Sequence, residues 1–250
     1  MAQLTKLNIG VLIATTTQIL DLGAIDLFAM TEKFYLRTGE GSQSIAELGL
    51  DEVNIHYISE NVQAPVEAPL GLHTNRAFAA PEQITLIRTS AKLSMQLTAD
   101  ITSPFVAPGK LDILVIPGQD PQFPPSPATA EFVRNHANTG TVDIITICSG
   151  AALAAQTGIL DGKTATGSRV LVETYLRKTF PKVNWTTDRR WVVDESGRFW
   201  SSGTATNGQD LVAAYLRKKV HPAVAEQVCA IADVGNRPVR YDQTESARQQ

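Results

Sequence analysis

The stretch VDIITICSGAALAAQTGIL, residues 142–160, decides the fold. Val142 to Ile147 is a short apolar run rich in β-branched residues, the pattern of a strand covered on both faces. The chain then passes through Cys148-Ser149-Gly150 and enters a helix, Ser149 to Thr157, that Gly158 ends. Ala151, Ala152, Ala154 and Ala155 let that helix lie close to the sheet, and Gly150 leaves room at the bend. A strand that turns sharply into a helix is the setting of a nucleophile elbow, where a strained turn exposes the reactive atom. Free N–H groups at the helix start favour a thiolate, so the pKa of Cys148 is expected to fall. A cysteine after an apolar strand is commonly an inert core thiol. The Ser-Gly that follows and the immediate small-residue helix favour the nucleophile. Cys229, inside a helix beside Val228 and Ile231, reads as core.

Working outward, strand and helix patterns alternate. Leu7 to Ala14, Val53 to Ser59 and Leu111 to Ile116 read as strands, the last stopped by Pro117-Gly118. Asp21 to Met30 carries Leu22, Ile25 and Ala29 at helical spacing, and Ser126-Pro127 opens a helix through about His136. Arg190 to Val193 and Arg198 to Ser201 flank Asp194-Glu195-Ser196-Gly197 as a hairpin. Helices around Gly208 to Lys219 and Pro222 to Val234 follow. The segment Gln63 to Pro108 holds one or two further strands, Ile84 to Arg88 and Lys92 to Thr98, without a clear place. Residues 1–240 read as one domain, and the polar tail YDQTESARQQ from Tyr241 as frayed. This alternation predicts an α/β fold with a mostly parallel sheet covered on both faces. Ligands in such folds bind beyond the carboxyl ends of the strands. That rule singles out Thr15 to Asp21, Pro117 to Pro125, and Cys148-Ser149-Gly150.

Composition narrows the chemistry. Apolar residues make up 43 % and charged residues 19 % of the 250, with a formal charge of −3. No basic stripe suggests nucleic acid, and no run approaches the ~18 apolar residues that span a bilayer, so a small-molecule substrate is expected. The start lacks a secretory cleavage pattern, and the chain reads as cytoplasmic. Two cysteines and dispersed histidines (His56, His73, His136, His221) give no metal-ligand spacing, so no metal and no cofactor is expected.

Four segments in order carry a resemblance: QILDLGAIDLF (18–28), LDILVIPG (111–118), ICSGAALAAQTGILDGKTAT (147–166) and RRWVVDESGRFWSSGTATNGQDLVAAYL (189–216). Together they resemble the ThiJ/PfpI superfamily of class I glutamine-amidotransferase-like folds over roughly residues 7 to 235, and within it most the isonitrile hydratase-like branch. The resemblance implies a flavodoxin-like three-layer sandwich, a homodimer, and an acid from the first strand–helix loop against the sulfur. The matching residue is Asp21. A carboxyl beside a thiolate should titrate high and can return a proton during reaction. Asp is also favoured as a helix N-cap, and both roles stay open. Pro117-Gly118-Gln119 matches the superfamily's P-G-G turn, so the N–H groups of Gly118, Gln119 and Ser149 are candidate oxyanion donors. Gln119 in place of the second glycine is expected to add a side chain to the pocket. Where relatives often carry histidine after K-x-A-T, this chain reads ATGSRV with Ser168, which either starts a helix through Lys178 or lines the pocket. Without that base a peptidase is disfavoured. The expected function is a cysteine-dependent hydratase or lyase on a small electrophile. The alternatives are glyoxalase- or deglycase-like chemistry and a non-enzymatic redox-sensing or ligand-binding module using Cys148.

Overall fold

Ile113–Ile116 and Asp143–Ile147 are buried along their whole lengths, and their alternating side chains feed two separate cores. Ile113, Val115, Ile145 and Ile147 point to one core, Leu114, Ile116 and Ile144 to the other. A strand with apolar residues on both faces needs a layer on each, which fixes a three-layer arrangement. In the computed structural model, which describes residues 4–38, 43–60 and 85–242, that arrangement is a seven-stranded central sheet. Its strands are β1 (Lys6–Leu12), β2 (Glu52–Ser59), β3 (Ala99–Asp100), β4 (Ile113–Ile116), β5 (Asp143–Ile147), β6 (Trp191–Val193) and β7 (Phe199–Ser202). They lie in the order β6-β7-β5-β4-β1-β2-β3, parallel throughout except for the β6–β7 hairpin.

Helices α1 (Pro127–Asn138) and α2 (Gly150–Gln156) pack on one face, α3 (Ala205–Lys219) and α4 (Pro222–Ala232) on the other. Ser126 starts α1 as its sequence suggests, its Oγ accepting from the Thr129 N–H at 3.0 Å. The predicted helix from Asp21 to Met30 is instead two short turns, Ile19–Leu22 and Asp26–Ala29. Gly23, a poor residue for a helix interior, falls between them, and the Ile25 N–H closes a tight turn on the Leu22 carbonyl at 2.8 Å. Leu86–Arg88 and Ser94–Gln96 pair as a small separate hairpin, while β3 adds to the sheet edge. The rest of the unplaced segment up to Ile84 lies outside the described residues, as does the tail after Asp242.

β1 pairs with β2 on one side and with β4 on the other, Ile9 standing opposite both Ile55 and Ile113. The order reverses at β1 and β4, and the carboxyl ends of such strands are where doubly wound folds bind ligands. Asp21 follows β1, Gly118 follows β4, and Cys148 follows the adjacent β5.

Candidate active site

Cys148 has φ +56°, left-handed backbone that a side chain rarely adopts. Two neighbours make the turn possible. A Cβ on Gly150 would stand 2.0 Å from the Ile116 carbonyl oxygen and 2.7 Å from that of Pro117, so only glycine lets α2 begin under the end of β4. A Cβ on Gly208 would press on Ile147 at 2.8 Å, so α3 backs closely onto the end of β5. The Cys148 N–H still reaches the Ser202 carbonyl of β7 at 3.3 Å, which anchors the elbow to the sheet. The thiol itself is half-buried.

Asp21 lies in the turn Ile19–Leu22 and is 0 % exposed. It is not the cap of that turn: Gln18 holds the cap position. Neither carboxylate oxygen has a hydrogen bond of ordinary geometry, although the Gly118 N–H faces it. The approach is close enough that a Cβ on Gly118 would stand 2.1 Å from Asp21 Oδ2. Burial raises the Asp21 carboxyl from 3.8 to about 6, with the Gly118 N–H pulling weakly the other way.

The thiol departs from expectation in the opposite direction. Burial, and then the Asp21 charge, push Cys148 up to about 11, against the N–H and hydroxyl of Ser149 that favour the thiolate. A two-turn helix start is outweighed here by desolvation next to a carboxylate. Burial is the first cause for both groups, and the Asp21 charge adds to it for the thiol alone. Between about pH 6 and 11 the pair therefore carries one proton, held on the thiol, and Asp21 is the ionised partner.

Gln119 corrects a second expectation. Its side chain does not enter the pocket but turns back onto the end of β1. There Oε1 accepts from the N–H groups of Ala14 (2.5 Å) and Thr15 (3.1 Å), and Nε2 donates to the Leu12 carbonyl (2.9 Å). Its own N–H donates to Ser149 Oγ at 3.0 Å, and that hydroxyl donates to the Gln119 carbonyl at 2.6 Å. The Gln119 N–H is thus not a free oxyanion donor. The Gly118 N–H faces Asp21, and the Ser149 N–H faces the sulfur.

Ser168 is half-buried and begins the helical stretch 169–179, its carbonyl accepting from the Val172 N–H at 2.8 Å while its side chain makes no cap bond. Its neighbour Gly167 packs on the elbow, a Cβ there standing 3.3 Å from the Cys148 carbonyl oxygen. The described histidines are engaged elsewhere: His136 bonds the Phe132 and Val106 carbonyls, His56 packs on Phe105, and His221 caps α4. His73 lies outside the described residues.

One residue next to the strand that anchors Cys148 has no counterpart among the candidates from the sequence. Tyr241, at the start of the tail read as frayed, is half-buried and bonded through its hydroxyl to Asn207 Nδ2. The guanidinium groups of Arg169 and Arg190 lie against its ring, 4.9 and 4.7 Å from the centroid. Gly203, directly after the strand that anchors Cys148, faces the Tyr241 hydroxyl. A lone aromatic in a polar tail was the available signal. Among the described residues no group of His, Cys, Asp or Glu could hold a metal, and no helix is long and apolar enough to cross a membrane.

Cys148 thus sits on a strained elbow one strand from the switch point, and the charge of the buried Asp21 acts on it. The DJ-1/PfpI family model matches residues 48–218, more than half of the chain. The chain belongs to this family. Among solved structures it is similar to Drosophila melanogaster DJ-1beta (12 % identity, TM-score 0.64, covering 92 % of this chain and 98 % of that one). It is also similar to an AraC family transcriptional regulator from Pseudomonas putida (14 %, 0.63, 90 % and 99 %) and to oxidized Toxoplasma gondii DJ-1 (14 %, 0.60, 91 % and 98 %). At such identities these structures speak for the fold alone, the flavodoxin-like sandwich. No curated protein sequence matches the chain.

Proposed function

We propose that this DJ-1/PfpI protein is a cysteine-dependent, cofactor-free hydratase of the isonitrile hydratase type, acting on a small electrophile. The observation that carries this reading is Asp21: a fully buried carboxyl without an ordinary hydrogen bond, near enough to Cys148 for its charge to act on the thiol. A histidine beside the thiol would suit peptide cleavage. A carboxylate that takes the thiol proton and hands it on to the substrate suits addition at a terminal carbon.

For an isonitrile, Asp21 takes the thiol proton as the Cys148 sulfur bonds to the terminal carbon, then passes that proton to the same carbon, giving a thioimidate. Water adds to the thioimidate carbon. The C–S bond then breaks, an N-substituted formamide leaves, and the proton returns to the pair. The net reaction adds one water, with no oxidant or reductant. Ser149 supports the sulfur through its N–H, and Gly118 supports Asp21. A homodimer belongs to the same proposal.

Endpoint conversion of simple alkyl isonitriles tests the reading. Cys148→Ala should lose turnover, and Asp21→Asn should lose about 10²–10⁴-fold, the range of general acid catalysis. Equal turnover by wild type and Cys148→Ala would overturn it. Since the singly protonated pair is the reactive form, the wild-type rate should rise through about pH 6 and stay level to about pH 10.

A second reading, a redox-sensing module, is favoured by one contrast: Cys148 is half-buried while Cys229 is 3 % exposed. Mild peroxide should then oxidise Cys148 far ahead of Cys229 in peptide maps. Similar rates would exclude it.

A further inference from the structure

Every polar bond made by Gln119 joins pieces of the site that come from distant parts of the chain. The side chain, 6 % exposed, clasps Leu12, Ala14 and Thr15, the exit of β1 that leads to Asp21. The main chain exchanges a pair of hydrogen bonds with Ser149, the residue after the nucleophile. Between these two grips stands Gly118, whose Cα lies so close to Asp21 that a Cβ would meet Oδ2 at 2.1 Å and Ser149 Oγ at 3.2 Å. The approach of Asp21 to the elbow therefore depends on how firmly the Thr15–Asp21 loop is held to the turn after β4. A glycine at 119 would keep the main-chain bonds to Ser149 and lose all the bonds to β1.

We propose that Gln119 is a positioning residue, whose side chain holds the Asp21 loop against the Ser149 elbow and thereby sets the contact between Asp21 and Cys148. The inference rests on the pairing of Asp21 with Cys148 but not on the identity of the substrate. Gln119 touches no reacting atom. Its effect passes through the loop it braces, and its loss lets Asp21 drift from the sulfur.

The test reads the Asp21–Cys148 contact without a substrate. Alkylation of Cys148 by iodoacetamide is followed by peptide mass across pH in wild type, Asp21→Asn, Gln119→Ala and the double variant. In the wild-type background Asp21→Asn should raise the rate at pH 8 about tenfold, the effect of a one-unit fall in thiol pKa. Gln119→Ala should raise it by itself, and in that background Asp21→Asn should add little, because the contact is already lost. Gln119→Met, which keeps the volume without the hydrogen bonds, should behave as Gln119→Ala and covers a failure of that variant to fold. A general loss of stability would change unfolding midpoints but leave the Asp21→Asn effect at full size, and that result would overturn the proposal. If Asp21→Asn has no effect even with Gln119 intact, the pairing itself falls and the hydratase reading with it. Failure to convert isonitriles while the cycle behaves as described would overturn only the substrate assignment.

Discussion

Asp21 is held in a state that destabilises the fold at neutral pH. Its carboxyl titrates at about 6 in the folded chain against 3.8 in an exposed setting, so the folded state binds the proton more tightly. Stability is then full below about pH 4 and falls as pH rises towards 6, with a loss of about 3 kcal/mol by pH 7. Asp21→Asn should be more stable than wild type in urea at pH 7, and the difference should shrink as pH falls to 4. Equal stability at pH 7 would count against the burial argument. Gly150 gives a steric counterpart: its missing Cβ would strike two main-chain oxygens that cannot move without displacing β4. Gly150→Ala should cost about 3 kcal/mol or more by denaturant unfolding, at the upper end of overpacking effects. The elbow was legible because Cys148, Ser149 and Gly150 are adjacent and their neighbours are patterned. The direction of the Cys148 pKa was not, because it depends first on burial by the packed fold and then on Asp21, 127 positions earlier in the chain.

Among the elements, the C-terminal segment departs most from its sequence. Arg190, 1 % exposed, donates to the carbonyls of Pro238 and Arg240, while its own N–H bonds the Val239 carbonyl at 2.7 Å. The Tyr241 N–H closes on the Asp188 carbonyl at 3.1 Å, so residues 238–241 run along the start of β6 as an added edge. Arg190→Met should take from those carbonyls their charged donor and cost about 1.5–3 kcal/mol, the range of hydrogen bonds to charged groups. Limited proteolysis read by intact mass should then release the C-terminal segment from the variant before any cut elsewhere. Identical digestion of wild type and variant would dispose of the clasp. Polarity alone makes such a segment look frayed, since the partners that hold it lie on a hairpin about 50 residues earlier. The split of Ile19–Leu22 from Asp26–Ala29 is a milder case: the apolar spacing is helical, and Gly23 with its tight turn breaks the continuity.

At the scale of the molecule, two apolar cores lie on opposite sides of one sheet. Ile25 belongs to the core beneath α3 and α4, and Ile144 to the core beneath α1 and α2. Ile25→Val and Ile144→Val should each cost about 0.5–1.5 kcal/mol. With no shared contacts their effects should add within about 0.5 kcal/mol in the double variant by chemical denaturation. Marked non-additivity would mean that the layers repack together. The sequence by itself determined the fold class, the parallel strands covered on both faces and the elbow at Cys148, because each follows from local period and turn chemistry within a few residues. It also placed Asp21, Gly118 and Cys148 at the carboxyl ends of strands, where doubly wound folds bind ligands. Only the tertiary structure decided what those residues do to one another. The strand order brings β1, β4 and β5 side by side, so Gln119 braces β1 instead of lining the pocket, and Asp21 loses water against the sulfur. Burial and proximity of this kind arise from packing distant segments together, and no local pattern along the chain encodes them.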